Sequence, residues 1–230
     1  MAGLIPALLW LLFWIREDRK HPEPKKLLAL AFFVGMLVVI PVFKLESMVL
    51  ESVSNDTARI VWWVAIEELG KFIAAYFLIL RRKEVDEPID YVIYMVTVAL
   101  GFAAAENALF ILNPLSSGFV LDSIVTGNLR FVGSTLLHIL ASTAVGVSMA
   151  LAFYKSRRSK RQYLAAGLIL AIALHTAFNL TIMVNGGRNG LMASSLVWVG
   201  VIVVLLLFEK VKKIHPVGDK PLEEIIGDGT

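Results

Sequence analysis

Apolar positions along this chain fall in long continuous runs, with no period-two alternation and few polar interruptions. Seven runs stand out: Gly3 to Ile15, Leu27 to Phe43, Ile60 to Leu80, Tyr91 to Leu112, Leu129 to Tyr154, Tyr163 to Val184 and Leu191 to Phe208. Most reach the roughly 20 residues that carry a helix across about 30 Å of hydrocarbon. The first is short, at 13 residues. A membrane barrel needs strands of about ten residues with alternating polarity, so continuous runs predict helices. The expected fold is all-α: a polytopic transmembrane helical bundle of about seven spans, forming one integral membrane domain over 1–230 with a tail at 209–230.

Composition agrees, with 57% hydrophobic and 18% charged residues in 230 and a mean hydropathy of +0.74. Spans and loops use up the chain, so any function must lie among the helices. A net charge of +3 would suit a nucleic-acid partner, but the basic residues flank the spans and report topology instead. No nucleic-acid partner is expected. Lys and Arg number five, three, five and four after spans one, three, five and seven, against none, two, one and one on the opposite side. That bias predicts an outside N-terminus and a cytoplasmic C-terminus in the cell membrane. The first run lacks a basic leader and a small-residue cleavage pattern, and its positive charges follow it, as in a retained anchor. Zero cysteines exclude a thiol nucleophile or a thiolate metal site.

Polar residues inside the spans change the picture. With 1.5 Å rise per residue, Glu67 and Glu68 lie roughly 10 to 12 Å below the outer end of their span, and Glu106 about 9 Å below its own. By the same arithmetic, His138 and His175 lie about 14 Å deep. Four helices thus bring ionisable groups to one layer. Each such group costs roughly 2.5 to 3.5 kcal/mol at the centre of a span and ordinarily faces a bundle interior or a wet cavity. Five in one layer exceed what packing needs.

The local spacings add detail. Lys71 stands at i+4 from Glu67 and i+3 from Glu68, so either carboxylate can pair with it while the other is left for chemistry. Gly101, Ala103, Ala104 and Ala105 are small residues that let a neighbouring backbone come close, and they lead into Glu106 and Asn107. His138 shares a helical face with Ser142, and His175 with Asn179. His21 and His215 lie among loop charges. The outer connections at 44–59 and 113–128 are expected to be long loops.

Zinc accepts imidazole nitrogen and carboxylate oxygen, and a catalytic site keeps three protein ligands plus water. Two His and one Glu meet that count, and a second Glu remains as general base. A metal-free arrangement also satisfies the chemistry, with a glutamate activating water while His138 and Asn179 stabilise an oxyanion. A proton- or cation-coupled transporter or a non-catalytic scaffold is the reading from another class, since such pairs line ion paths. Against it, the chain has no internal repeat and no paired broken helices. A retinal receptor is excluded because the seventh run contains no lysine.

"IREDRKHPEPKKLLALAFFVG", "EELGK", "DEPIDYVIYMVTVALGFAAAEN", "HILAS" and "HTAFN" follow one another between residues 15 and 179, within a resemblance that runs from about residue 4 to 180. In that order they resemble the PrsW intramembrane proteases, distant relatives of the type II CAAX prenyl proteases. The resemblance implies hydrolysis of a peptide bond in a membrane-bound protein, such as an anti-sigma factor in stress signalling, by a catalytic core at about 60–184. It implies Glu67, Glu68, Glu106, His138 and His175 as the active-site set. Combined with the donor chemistry, it gives zinc on His138, His175 and Glu106 or Glu68, with Glu67 as base and the two Glu roles exchangeable. Lys71, Asn107, Ser142 and Asn179 are the expected supporting residues. The prenyl-protease relatives carry Arg two positions beyond Lys71 and His in place of Glu106, so prenylated-peptide chemistry is not carried over. The depth of the layer places the scissile bond near the outer face.

Overall fold

A computed structural model describes residues 22–116, 120–183 and 190–214. It contains six helices: α1 (Lys25–Ser52), α2 (Asp56–Leu78), α3 (Pro88–Ser116), α4 (Val120–Leu151), α5 (Arg157–Met183) and α6 (Gly190–Val211). Among the described residues there is no strand. Six of the seven apolar runs coincide with these helices. The run at Gly3 to Ile15 lies outside the described residues, as does most of the tail.

Lys25–Ser52, Pro88–Phe110, Gly133–Leu151 and Arg157–Thr181 are long and apolar enough to cross a membrane. The three charges in the middle of α2, Glu67, Glu68 and Lys71, set that helix apart in composition. Outward faces carry large apolar side chains, with Ile40, Ile169 and Leu206 about two-thirds exposed at 69%, 68% and 66%. In a solvent of lipid chains such faces need no covering; in water they would be an aggregation surface.

The centre of the bundle is α3. Val92 through Ala104 are buried on every side, and most of them are wholly sequestered. A helix apolar all round is one enclosed by others, and α3 lies against α1, α4 and, more lightly, α2 and α6. Its start is held by Asp90, whose Oδ2 accepts from the backbone N–H groups of Asp86 and Glu87 at 2.8 and 2.7 Å. One turn on, Tyr94 donates its hydroxyl to Glu23.

The expected loop at 44–59 is mostly helix. Leu45, Met48, Val49 and Leu50 continue the apolar pattern of α1 to Ser52, and α2 restarts at Asp56 after three residues. Asn55 caps that restart, its side chain accepting from the Ala58 N–H at 2.8 Å. Arg59 then ties the turn by donating to the Val53 carbonyl at 3.0 Å and to Asp56 at 2.8 Å. The other expected loop is shortened likewise, since α3 runs to Ser116 and α4 starts at Val120. In both places amphipathic pattern extends past the apolar core of the run, and hydropathy alone ends the helix too early.

The small-residue run of α3 does what its composition predicts. A Cβ on Gly101 would lie 1.9 Å from the Phe32 carbonyl oxygen, and one on Gly35 would lie 2.0 Å from the Val98 oxygen. Backbone therefore meets backbone where α1 crosses α3, and no side chain can give way. Gly35→Ala or Gly101→Ala is expected to destabilise the protein by at least about 1–3 kcal/mol through overpacking. Gly133→Ala meets only an ordinary contact at 3.5 Å, and its gain in helix propensity, up to about 1 kcal/mol, gives the opposite sign. Unfolding of the three variants in mixed micelles checks the contrast.

Candidate active site

Glu67, Glu68 and Lys71 lie on the inward face of α2, Phe102 and Glu106 one turn apart on α3, His138 on α4 and His175 on α5. All are buried, Lys71, Glu68 and His138 almost completely. The structure thus brings together every ionisable residue that the depth argument assigned to one layer.

Lys71 is the hub. Its Nζ donates to Glu68 Oε1 at 2.6 Å and to His138 Nδ1 at 3.0 Å, and it stands 5.1 Å from the centre of the Phe102 ring. An ammonium has only donors, so His138 Nδ1 must accept. The proton of a neutral His138 is then on Nε2, which donates to Glu106 Oε2 at 3.0 Å. Ser134, one turn before His138, adds a longer contact to the same oxygen at 3.4 Å. On the other side His175 Nδ1 donates to Glu68 Oε1 at 2.7 Å. That bond leaves the Nε2 lone pair of His175 facing Glu67 Oε2, 3.8 Å away. The same Glu67 oxygen is 3.9 Å from His138 Nδ1. The two imidazoles stand perpendicular, 5.1 Å between centres, and Phe102 meets the edge of His138 at 5.2 Å.

The two adjacent glutamates have separate fates. Glu68 is engaged by Lys71 and His175 through Oε1, while Glu67 is offset by about 100° round the helix and takes no partner from the lysine. Glu67 Oε2 and Glu68 Oε2 are both buried without a hydrogen-bond partner. A buried carboxylate oxygen left open costs about 1–3 kcal/mol or more, which is tolerable at a site that receives water, substrate or a cation.

One ligand atom from each of Glu67, Glu68, His138 and His175 lies within 4.8 Å of the others. Nitrogen and oxygen donors in that number, with two open carboxylate oxygens and an open imidazole nitrogen, fit a first-row divalent cation. Glu106 is outside this convergence and reaches it through His138. For a cation to take His138 Nδ1, Lys71 must withdraw from it.

The supporting residues occupy separate places. Asn107 Nδ2 donates to Thr135 Oγ1 at 3.1 Å, tying α3 to α4 beside the His138 turn. Ser142 is fully buried one turn beyond His138, its Oγ without a partner. Asn179 is half-buried one turn beyond His175.

Two side chains at the site escaped the sequence reading. Phe102 was given no role in the sequence, although its i, i+4 relation to Glu106 puts it on the same face. Glu46 fell in a stretch taken for a loop; it is half-buried near the end of α1, and Trp63, one turn before Glu67, donates Nε1 to its backbone carbonyl at 3.0 Å. The continuing apolar pattern around it was the available signal.

A family model described as PrsW family intramembrane metalloprotease matches residues 23–208. The chain is 27% identical over 203 residues to Protease PrsW of Geobacillus kaustophilus, covering 86% of each. It is 28% identical over 193 residues to Protease PrsW of Clostridioides difficile, covering 80% of this chain and 79% of the relative. With Protease PrsW of Bacillus subtilis the identity is 21% over 182 residues, 77% of this chain and 79% of the relative. No solved structure matches.

Replacing Lys71 by Met strands Glu68 in the interior without its cation, and removal of one member of such a buried pair costs about 3–5 kcal/mol. Lys71→Met is therefore expected to unfold far more easily than wild type, and Lys71→Met combined with Glu68→Gln to recover much of the loss. A double-mutant cycle of unfolding free energies measures the coupling.

Proposed function

The chain belongs to the PrsW family of intramembrane metalloproteases, and from that premise we propose that it cuts a membrane-bound protein close to the outer face of the cell membrane. It is a peptide hydrolase and a membrane protein. Seven spans, an outside N-terminus and a cytoplasmic C-terminus are the topology we assign, from the distribution of Lys and Arg between the two sets of loops. An anti-sigma factor is the substrate type we favour. The observation that carries the catalytic reading is the convergence of Glu67, Glu68, His138 and His175 from three helices on one buried point.

Zinc is the metal we propose, held by His138 and His175 with Glu68 in preference to Glu106, because the ligand atom of Glu68 is within the convergence. When bound, it supplies Lewis acidity toward the scissile carbonyl and the attacking water. The protein's own groups do the rest. Glu67 presents an open carboxylate oxygen toward both imidazoles and takes the proton of the attacking water as general base. Glu68 fixes the ring of His175 through Nδ1, and Glu106 holds that of His138 through Nε2. Asn179, one turn beyond His175 toward the outer face, is the side-chain donor we assign to the developing oxyanion. The proton held by Glu67 goes to the leaving amine.

Membranes of cells carrying wild type or Glu67→Gln, compared by terminal-peptide mass spectrometry, test the reading. New termini at the outer edge of a substrate span are expected in wild type, with Glu67→Gln slowed by about 10²–10⁴-fold, the range of a lost general base. Identical sets of termini would sink it. Purified wild type is further expected to carry stoichiometric zinc that is lost in His138→Ala and in His175→Ala; elemental analysis of the three proteins decides.

A further inference from the structure

The short connection between α4 and α5 joins the two helices that carry His138 and His175. In it and at the head of α5 stand Lys155, Arg157, Arg158, Lys160 and Arg161, all exposed. The bias of Lys and Arg toward this side accounts for their presence, but not for what is missing beside them. Carboxylates contribute little to topology, and the other three basic segments are mixed. Arg16 to Lys26 includes Glu17, Asp18 and Glu23; Arg81 to Asp90 includes Glu84, Asp86, Glu87 and Asp90; Glu209 to Lys220 includes Glu209 and Asp219. From Ser123 to Phe208, by contrast, the chain has no Asp or Glu. Among the described residues, none of these cations between Lys155 and Arg161 is in an ion pair.

Left to themselves these charges repel one another. Four of them also open α5, whose first turn has no acidic residue to offset its positive end. They are nonetheless displayed on a firm surface. Lys155 Nζ lies 5.6 Å from the centre of the Tyr163 ring and Lys160 Nζ 5.5 Å from that of Phe153. The N–H groups of Phe153 and Lys155 donate to the Ala150 and Ala152 carbonyls at 3.0 and 2.9 Å, and Ser156 Oγ accepts from the Ser159 N–H at 3.3 Å. A rigid, uncompensated cationic surface at the end of two membrane helices matches one partner in both charge and place: the phosphate-bearing headgroups of the cytoplasmic leaflet.

Depth is what such a contact would control. The outward face of α5 is apolar, with Ile169 and Leu170 exposed, and shifting such a face along lipid chains costs little per ångström. A charged end held at the headgroups is a firmer stop. His175 stands about 27 Å along α5 from Arg157 at 1.5 Å per residue, against about 30 Å of hydrocarbon. With the turn at the inner headgroups, α5 delivers its histidine just short of the outer edge.

We propose that the cationic turn between α4 and α5 binds anionic phospholipid headgroups of the cytoplasmic leaflet and thereby fixes the depth of His138 and His175 in the bilayer. The inference rests on the orientation assigned above, with this turn on the cytoplasmic side.

The test uses full-length protein in nanodiscs of equal parts phosphatidylcholine and phosphatidylglycerol. Native mass spectrometry is expected to find phosphatidylglycerol retained on wild type several-fold over phosphatidylcholine. Changing Lys155, Arg157, Arg158, Lys160 and Arg161 together to Gln should abolish that preference, whereas changing Arg81, Arg82 and Lys83 together to Gln should keep most of it. Equal preference in wild type and the 155–161 variant overturns the proposal, and is the result expected if an acidic protein segment were the partner. Should that variant fail to fold, Arg157→Gln combined with Arg158→Gln is expected to weaken the preference, and an undiminished one overturns the proposal. Depth is read separately from a nitroxide on Ile169→Cys, in a chain with no other cysteine, by its collisions with oxygen and with a water-soluble nickel chelate. The 155–161 variant is expected to move that probe by about 3 Å, half a helical turn; an unmoved probe overturns the proposal. Ser156→Cys with an impermeant maleimide separates the premises. Labelling in intact cells means that the assigned orientation has failed, whereas labelling confined to inverted vesicles, beside unchanged lipid retention, rejects only the headgroup site.

Discussion

Everything at the centre of this bundle is arranged round the ammonium of Lys71. An interior lined by Val, Ala, Leu and Phe offers little to stabilise carboxylates, and burying them is affordable only where a cation and hydrogen bonds meet them. Lys71 contacts Glu68, His138 and the face of Phe102 at once. From it the remaining orientations follow in a chain: Nδ1 of His138 becomes an acceptor, Nε2 a donor, and Glu106 the receiver of that proton. Glu68, held on one oxygen, accepts from His175 and so turns the other nitrogen of that ring toward Glu67. One cation sets the tautomers of two histidines on two other helices.

That arrangement depends on a packing constraint some distance away. Phe102 follows Gly101 directly, and Glu106 comes one turn later. The absence of side chains at Gly35 and Gly101 lets α3 settle against the main chain of α1, which fixes how far α3 stands from α2 and α4. Asn107 and Thr135 then tie α3 to α4 beside the His138 turn. The small-residue run and the acidic residues are thus one structural unit. Glycines set the depth of the helix, and the helix delivers the phenyl ring and the carboxylate.

Much of this was legible in the sequence, because a charge inside an apolar run has few reasons to be there. The depth arithmetic brought Glu67, Glu68, Glu106, His138 and His175 to one layer, and the structure places them within reach of one another. What it did not give is which of two neighbouring glutamates the lysine takes, since i+3 and i+4 partners are equally permitted until other helices are in place. Tertiary contact with His175 decides for Glu68. Glu46 was out of reach for another reason: hydropathy ends α1 at Phe43, whereas the Asn55 cap and the Arg59 contacts support helix almost to the connection. Phe102 was hidden by its ordinariness, one aromatic among many in a membrane helix.

The crossing of α1 and α3 has a mechanical consequence. Where main chain rests on main chain, neither helix can slide along the other without a clash, but each can still tilt, so the contact acts as a fulcrum. At 1.5 Å per residue, Glu106 lies only about 8 Å along α3 from Gly101, while Pro88 lies about 20 Å away on the other arm. A rocking motion that carries the far end of the helix through a given distance moves the carboxylate less than half as far. Glu106 lies close to the fulcrum on an arm that continues to Ser116, so the ends of the helix can yield to an arriving polypeptide while its carboxylate stays nearly still.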